Sequence, residues 1–412
     1  MANLHPFQPY RYSSKAGPLE TLVTQPYDKI SPAMQTRYLS LNPHNLVRVI
    51  LGERFPSDTD QNNVYTRAAQ YLNDWIRDGI LVQEDRPSFY AYSQEFTLPD
   101  SDEKLRRQGL IGLCALEEYQ KGVVHRHEQT LTGPKKDRTE LLNHTRAHFG
   151  QIFMLYPDPE LAVDRLLEQA ARNAPSATVT DEYGTIHRVW KIADSKLTSK
   201  IQQLMSDKKL LIADGHHRYE TALAFKNANP RVADASKVMM TFVNMHSPGL
   251  KILATHRLVN GLDGFEASAF LGKVQTRPLA SIEELKALFA KPAPEKVRIG
   301  IAIAGSPHIR LYERNRGPGE LDIKVLHDYL LGQVLGIGEE AVREEKHLEY
   351  VRGVDAAYDK IRSGSAQIGF LLEPTTVQQV ADVAFSGGVM PQKSTDFYPK
   401  LLTGLTIYKL EK

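Results

Sequence analysis

A single cysteine, Cys114, is all the sequence carries, so no disulfide can close within the chain and a multi-cysteine zinc centre is excluded. Cys114 lies in the apolar stretch GLIGLCAL, which predicts a core position. No uninterrupted apolar run approaches the ~18 residues of a membrane span. The opening stretch MANLHPFQPYRYSSKAG has no apolar segment of the secretory type. An excess of charge of either sign is missing as well: 51 Lys+Arg face 49 Asp+Glu, for a formal net charge of +2. Affinity for nucleic acid rests largely on neutralising phosphates, so this balance, with no dense basic run, makes nucleic acid an unfavoured partner. Three familiar signatures are absent too. There is no G-x-x-x-x-G-K-[ST] phosphate loop, no G-x-G-x-x-G after a strand and no G-x-S-x-G elbow. The expectation from these absences is a cytoplasmic chain without a membrane partner.

At 412 residues the chain exceeds one ordinary core. Helical and strand patterns alternate, which predicts a mixed α/β fold. Residues 65–80 read as an amphipathic helix, and SFYAYSQEFTL (88–98) with 109–115 as two strands joined by a long polar loop. Asp158-Pro159-Glu160 reads as the start of a helix running to about 173. Residues 178–192 read as a hairpin turning at Tyr183-Gly184. Further strands are expected at KLLIA, KVMMTFVNM, LKILATHRLV, VRIGIAIA, IRLYER and QIGFLLE. Helices are expected near 196–206, 282–289, 322–333, 354–362 and 377–385. The expected division is an N-terminal α/β region (1–120), a central domain (121–262) and a C-terminal α/β domain (263–412).

The central region holds the most unusual stretch, LLIADGHHRYETALAF at 210–225. An apolar strand stops at Asp214-Gly215, two histidines and an arginine follow, and a helical pattern begins. A phosphate needs close backbone N–H groups, the positive end of a helix and a bidentate cation. Gly215, a helix starting near His217, and Arg218 supply these within four residues, with Asp214 fixing the turn. Two other readings stay open. One is an aspartate-capped helix with solvated histidines; the other is a metal site built from Asp214, His216 and His217.

A second cluster is HRHEQTLTGPKKDR, 125–138, read as a polar loop. Glu128 is a candidate general base there, with Lys135, Lys136 or Arg138 on phosphate and Asp137, Thr130 and Thr132 beside them. In MPQKSTDFYPK, 390–400, Lys393, Ser394 and Thr395 form a further candidate anion contact; a bland turn fits equally well. Arg257, in ATHRLV at the end of an apolar strand, faces either a pocket or a structural carboxylate. Gln25-Pro26-Tyr27-Asp28 and Asn42-Pro43-His44-Asn45 read as turns.

Asp-Gly-His-His-Arg-Tyr, 214–219, resembles the phosphate loop of the ParB/sulfiredoxin superfamily and is especially similar to that of its free serine kinases. Sulfiredoxin carries Gly-Cys-His-Arg-Tyr at this turn. The resemblance implies a ParB/sulfiredoxin-like central region, with His217 and Arg218 on nucleotide phosphates and Asp214, Gly215 and Tyr219 around them. His216 stands in the place of the reactive cysteine, which argues against sulfinic acid repair. Over nearly the whole chain, QPYDKIS, NPHNLVRVILGE, HEQTLTGPKKDR, ADGHHRYETAL, ATHRLV and MPQKSTDFYPKL resemble, in order, the domain-of-unknown-function 1015 family. Members of that family often sit beside serine-biosynthesis genes, so the resemblance implies serine or phosphoserine as substrate.

The leading expectation is a phosphotransferase that uses ADP or ATP with Mg2+ on a small hydroxylated metabolite such as serine. Glu128 is its base, His216 its proton relay, and Asp214 the carboxylate near the metal. A phosphoserine phosphatase with His216 as nucleophile or acid is the second reading, and a non-enzymatic ParB-like nucleotide switch the third. The expected partner is a small phosphorylated molecule. The oligomeric state is left open, a homodimer included.

Overall fold

A computed structural model describes residues 2–99, 101–128, 132–391 and 393–411. The chain is mixed α/β, as its sequence predicts. Its contacts divide it into two units. The first comprises Met1–Lys251, Ala384–Gly387 and Pro399–Lys412; the second comprises Ile252–Val383 and Gly388–Tyr398.

The first unit is built on a mixed sheet of nine strands among the described residues. Its order is Val124–His125, Leu210–Asp214, Ile152–Tyr156, Lys237–Asn244, Lys104–Ala115, Phe89–Thr97, Ile186–Ile192 and Ala177–Thr180, with Leu4–His5 pairing Lys104–Ala115 off this path. Strands from both sides of residue 120 are therefore neighbours: Lys237–Asn244 runs antiparallel to Lys104–Ala115 with Val238 opposite Cys114. The boundary expected at 120 cuts through this sheet and does not separate units. The last residues also return to the first unit. Thr403 and Thr24 exchange backbone hydrogen bonds, and Tyr408–Lys409 pairs with Ala147–His148.

The apolar alternation of 89–97 and 104–115 is satisfied in an antiparallel pair whose register sets Tyr90 opposite Ile111 and Phe96 opposite Leu105. Cys114 is buried in the resulting core with Phe89, Leu110, Met240 and Phe242. The helix expected at 65–80 spans Val64–Arg77, and Asn63 and Thr66 close a capping box at its start. The helix expected from Pro159 begins instead at Ala162, because Leu161 adopts a left-handed conformation with φ 51°. Asp158 still serves it by accepting from the Val163 N–H at 3.1 Å.

The loop expected at 125–138 is a helix from Thr132 to Thr145. Pro134 is no obstacle, since it falls in the first turn, where its missing N–H has no intrahelical partner to lose. Thr130 lies outside the described residues, and so does the side chain of Thr132.

In the second unit six antiparallel strands run in the order Arg277–Leu279, Ile309–Asn315, Lys296–Ile303, Ile368–Leu372, Thr255–Val259 and Leu348–Arg352. The helix expected at 322–333 starts as an α-helix, Asp322–Val325, and continues as a π-helix over Leu326–Val334.

Candidate functional site

The strand Leu210–Asp214 lies between Val124–His125 and Ile152–Tyr156, and Leu210, Leu211 and Ile212 are fully buried. Its register against Ile152–Tyr156 shifts between Ile212 and Asp214, a bulge that re-aims the residues leading into the turn. Gly215 follows at φ 96°, in the left-handed region. A Cβ there would stand 3.1 Å from the Arg218 guanidinium, so both the backbone and the available space call for glycine. The helix His216–Ala228 then begins with Gly215 at its N-cap position, which has no side chain to cap it. Asp214 does not act as the cap the sequence implied.

Asp214 instead organises cations. One carboxylate oxygen accepts from Arg218 and the other from Lys400 Nζ at 3.1 Å. Burial opposes ionisation of Asp214, but Lys400, Arg218 and Lys29 outweigh it and hold its carboxyl well below the usual carboxylate range. Arg218 also donates to the carbonyl of Gln151, and the absence of a side chain at Gly150 leaves room for its guanidinium. With both oxygens engaged by cations, Asp214 is a poor ligand for Mg2+. Among the described residues no group of three or more His, Cys, Asp or Glu is arranged to hold a metal. The expected metal carboxylate is thus corrected to a positioning group for two cations.

His216 and Glu220 form a second face of the same helix. His216 is 4% exposed, and its Nδ1 lies 3.7 Å from Glu128 Oε2. The His127 ring meets His216 edge to face, with centroids 4.7 Å apart, and His127 Nδ1 is 2.8 Å from the Ile212 carbonyl. Burial, then the neighbouring His127, pushes the His216 ring well below its ordinary pKa; burial takes His127 down to about 4. Both rings are neutral at pH 7, and among the described residues His216 Nε2 is buried with no hydrogen-bond partner. Further along, Arg126 and Lys135 approach Glu220 at 3.3 and 3.5 Å. The 120s segment and the signature turn, far apart in sequence, thus meet in space.

Beside Arg218 opens a cleft. Its wall is largely apolar, including Ile50, Leu141, Leu142, Phe149 and Val238, and its polar groups come from Tyr27, Arg138, His148, Arg218, Thr221 and Thr403. Arg138 sits 4.0 Å over the Tyr27 ring and donates to the Ile50 carbonyl at 2.8 Å. Thr221 is 3% exposed, and among the described residues its hydroxyl has no partner.

Other expected contacts fall elsewhere. Tyr219 is fully buried, stacks on Tyr119 and exchanges hydrogen bonds with the Glu117 backbone, so it anchors the helix and does not face the cleft. Asp137 accepts from Arg54, Tyr65 and Arg138 and positions Arg138; a carboxylate so placed does not itself bind phosphate. Lys136 is on the same helix. His217, the second residue of the signature helix, is half-buried. Arg257, Lys393, Ser394 and Thr395 belong to the second unit. There Arg257 is 1% exposed, lies over Tyr350 and donates to the carbonyls of Thr255 and Lys393. Lys393 takes a left-handed φ of 55°, and the Ser394 hydroxyl turns back to the Pro391 carbonyl.

Sequence reasoning missed Lys400, Tyr27, His148, Gly150 and Thr221. Lys400 stands at the end of MPQKSTDFYPK, the stretch already singled out, but the eye falls on its Lys-Ser-Thr. Tyr27 is hidden in Gln-Pro-Tyr-Asp, which has the composition of an ordinary turn.

A family model described as protein of unknown function, DUF1015, matches residues 4–333. No curated protein matches the chain. Among solved structures, a free serine kinase in complex with AMP is 14% identical with a TM-score of 0.35, over 69% of this chain and 89% of its own. SbnI with a C-terminal truncation, from Staphylococcus aureus, is 10% identical with a TM-score of 0.37, over 72% and 87%. A conserved hypothetical protein from Pyrococcus furiosus is 12% identical with a TM-score of 0.34, over 67% and 87%. Among the described residues no helix is long and apolar enough to cross a membrane.

Proposed function

We propose that this chain, which belongs to the DUF1015 family, is a phosphotransferase that grips a nucleoside phosphate at the Asp214–Arg218 turn and acts on a small hydroxylated metabolite. One observation carries the reading: Arg218, in the first turn of the His216–Ala228 helix, lines an apolar-walled cleft. The helix terminus and the arginine suit a phosphate. The apolar wall with Tyr27 and Phe149 suits a nucleoside. Serine is the acceptor that the family resemblance implies.

In this account Gly215 lets the ligand approach the backbone, and Arg218 and His217 contact phosphate oxygens. Glu128 takes the proton of the acceptor hydroxyl. It is 39% exposed, so a substrate can reach it, and it lies beside a neutral imidazole that does not neutralise it. ADP or ATP is the proposed donor. Mg2+ would arrive on the phosphates, since Asp214 is committed to cations.

The burial of His216 favours transfer over hydrolysis through phosphohistidine. A nucleophilic imidazole must be reached by the phosphorus, and His216 is 4% exposed. Phosphorus NMR on the purified protein with magnesium, ATP or ADP, and serine tests the proposal. A phosphoserine signal that requires nucleotide is expected. Release of inorganic phosphate from phosphoserine without nucleotide would replace the kinase with a phosphatase.

A further inference from the structure

We infer that Lys400 is a second phosphate-binding cation of this site, set beside Arg218 by the shared carboxylate of Asp214. The inference rests on reading the turn as an anion site. Lys400 is 9% exposed, and its Nζ is 3.1 Å from Asp214 Oδ1 while Arg218 holds Oδ2. One carboxylate thus gathers two cations, and Lys29 adds a third positive charge nearby. Burying an ammonium is costly unless its charge is used. Here Arg218 and Lys400 are held side by side at the start of a helix, on which, among the described residues, the buried His216 Nε2 and Thr221 Oγ1 have no hydrogen-bond partner. A dianionic phosphate group matches two cations set side by side.

The ammonium is not needed to fasten its own segment. The Lys400 carbonyl accepts from Gln94 Nε2 at 2.8 Å, the Pro399 carbonyl accepts from Arg107, and Thr403 pairs with Thr24 through the backbone. The chain around Lys400 is held by its main chain. Asp214 is then the positioning residue, and Arg218 and Lys400 are the two arms of the clamp.

Calorimetric titration of inorganic phosphate and of ADP into the full chain tests this with three variants. Lys400→Gln keeps a donor for Asp214 but no charge, and is expected to weaken both ligands at least tenfold and to reduce the salt dependence of binding. Lys400→Arg is expected to stay within about threefold of the parent. Arg218→Lys serves as the reference for the turn itself. Lys400→Arg should unfold near the parent's temperature and Lys400→Gln somewhat below it, because Asp214 loses a charged partner; if Lys400→Gln does not fold, Lys400→Met takes its place with the same expected loss of affinity. Unchanged affinity in Lys400→Gln, with weakened binding in Arg218→Lys, overturns the role of Lys400 and leaves the anion site standing. Absence of binding in the parent protein, or full affinity in Arg218→Lys, overturns the reading on which the inference rests.

Discussion

The turn at 214–218 and the loop at 393–395 contain the same ingredients. Each has a left-handed residue, Gly215 at φ 96° and Lys393 at φ 55°, with a cationic side chain in reach. Only the first is organised for a ligand. It opens a thirteen-residue helix with glycine at the N-cap, and a carboxylate holds its cations in place. The second joins the Val377–Phe385 helix to the short strand Asp396–Tyr398, and its polar atoms are spent on its own backbone: Arg257 donates to the Lys393 carbonyl, and the Ser394 hydroxyl donates to the Pro391 carbonyl. An anion site needs fixed donors pointing outward, and residue types supply only the donors.

That contrast is broken most forcefully at Arg218. Arg218→Ala should lower ADP affinity about 100-fold, the worth of one or two charge-assisted hydrogen bonds, by calorimetry. Some loss of thermal stability should accompany it, because the Gln151 carbonyl and Asp214 lose their donor. Gly215→Ala comes next. Left-handed backbone costs an alanine roughly 1–2 kcal/mol, and its Cβ would press on the guanidinium at 3.1 Å. Urea unfolding should register the first effect, and about a tenfold loss of ADP affinity the second.

Acid should also act on the turn, which is flanked by buried neutral histidines. His127 protonates at about 4 in the folded chain because burial disfavours its charge, and near 6.5 when unfolded. The unfolded state therefore binds more protons in that window, and stability falls as the pH drops from 6.5 to 4. His127 contributes up to roughly 3 kcal/mol of this loss. Asp214, held low by its cations, adds a loss only below about pH 4. His127→Asn, which retains a donor for the Ile212 carbonyl, should flatten the decline of unfolding temperature between pH 6.5 and 4. An unaltered slope would mean that His127 already shares its proton with solvent. The smallest effect belongs to the loop: Lys393→Ala should alter ADP affinity less than twofold, and a larger loss would erase the contrast.

Much of this was legible in the sequence because local chemistry dictates it. Asp214-Gly215 between an apolar strand and a helical pattern has few other conformations open to it, and the strand, turn and helix stand where the pattern puts them. Glu128 could be nominated for its residue type and its polar surroundings, but its approach to His216 depends on Val124–His125 pairing in parallel with Leu210–Asp214, a long-range event with no local signal. The 132–145 helix was concealed by Gly133-Pro134, which reads as a turn and is tolerated in a first turn. Lys400 was concealed because its partner lies 186 residues away. Tyr219 shows the opposite failure: within a phosphate-loop motif it passes for a ligand contact, yet it is the residue that ties the helix to the Glu117 backbone.

Hydrogen–deuterium exchange with and without ADP and magnesium tests the central claim most directly, since it reads both regions in one unmutated protein. Slower exchange across 215–219, with 393–396 unchanged, is the predicted result. Protection confined to 393–396, or none in either region at saturating ADP, would contradict the assignment of the phosphate to the Asp214–Arg218 turn.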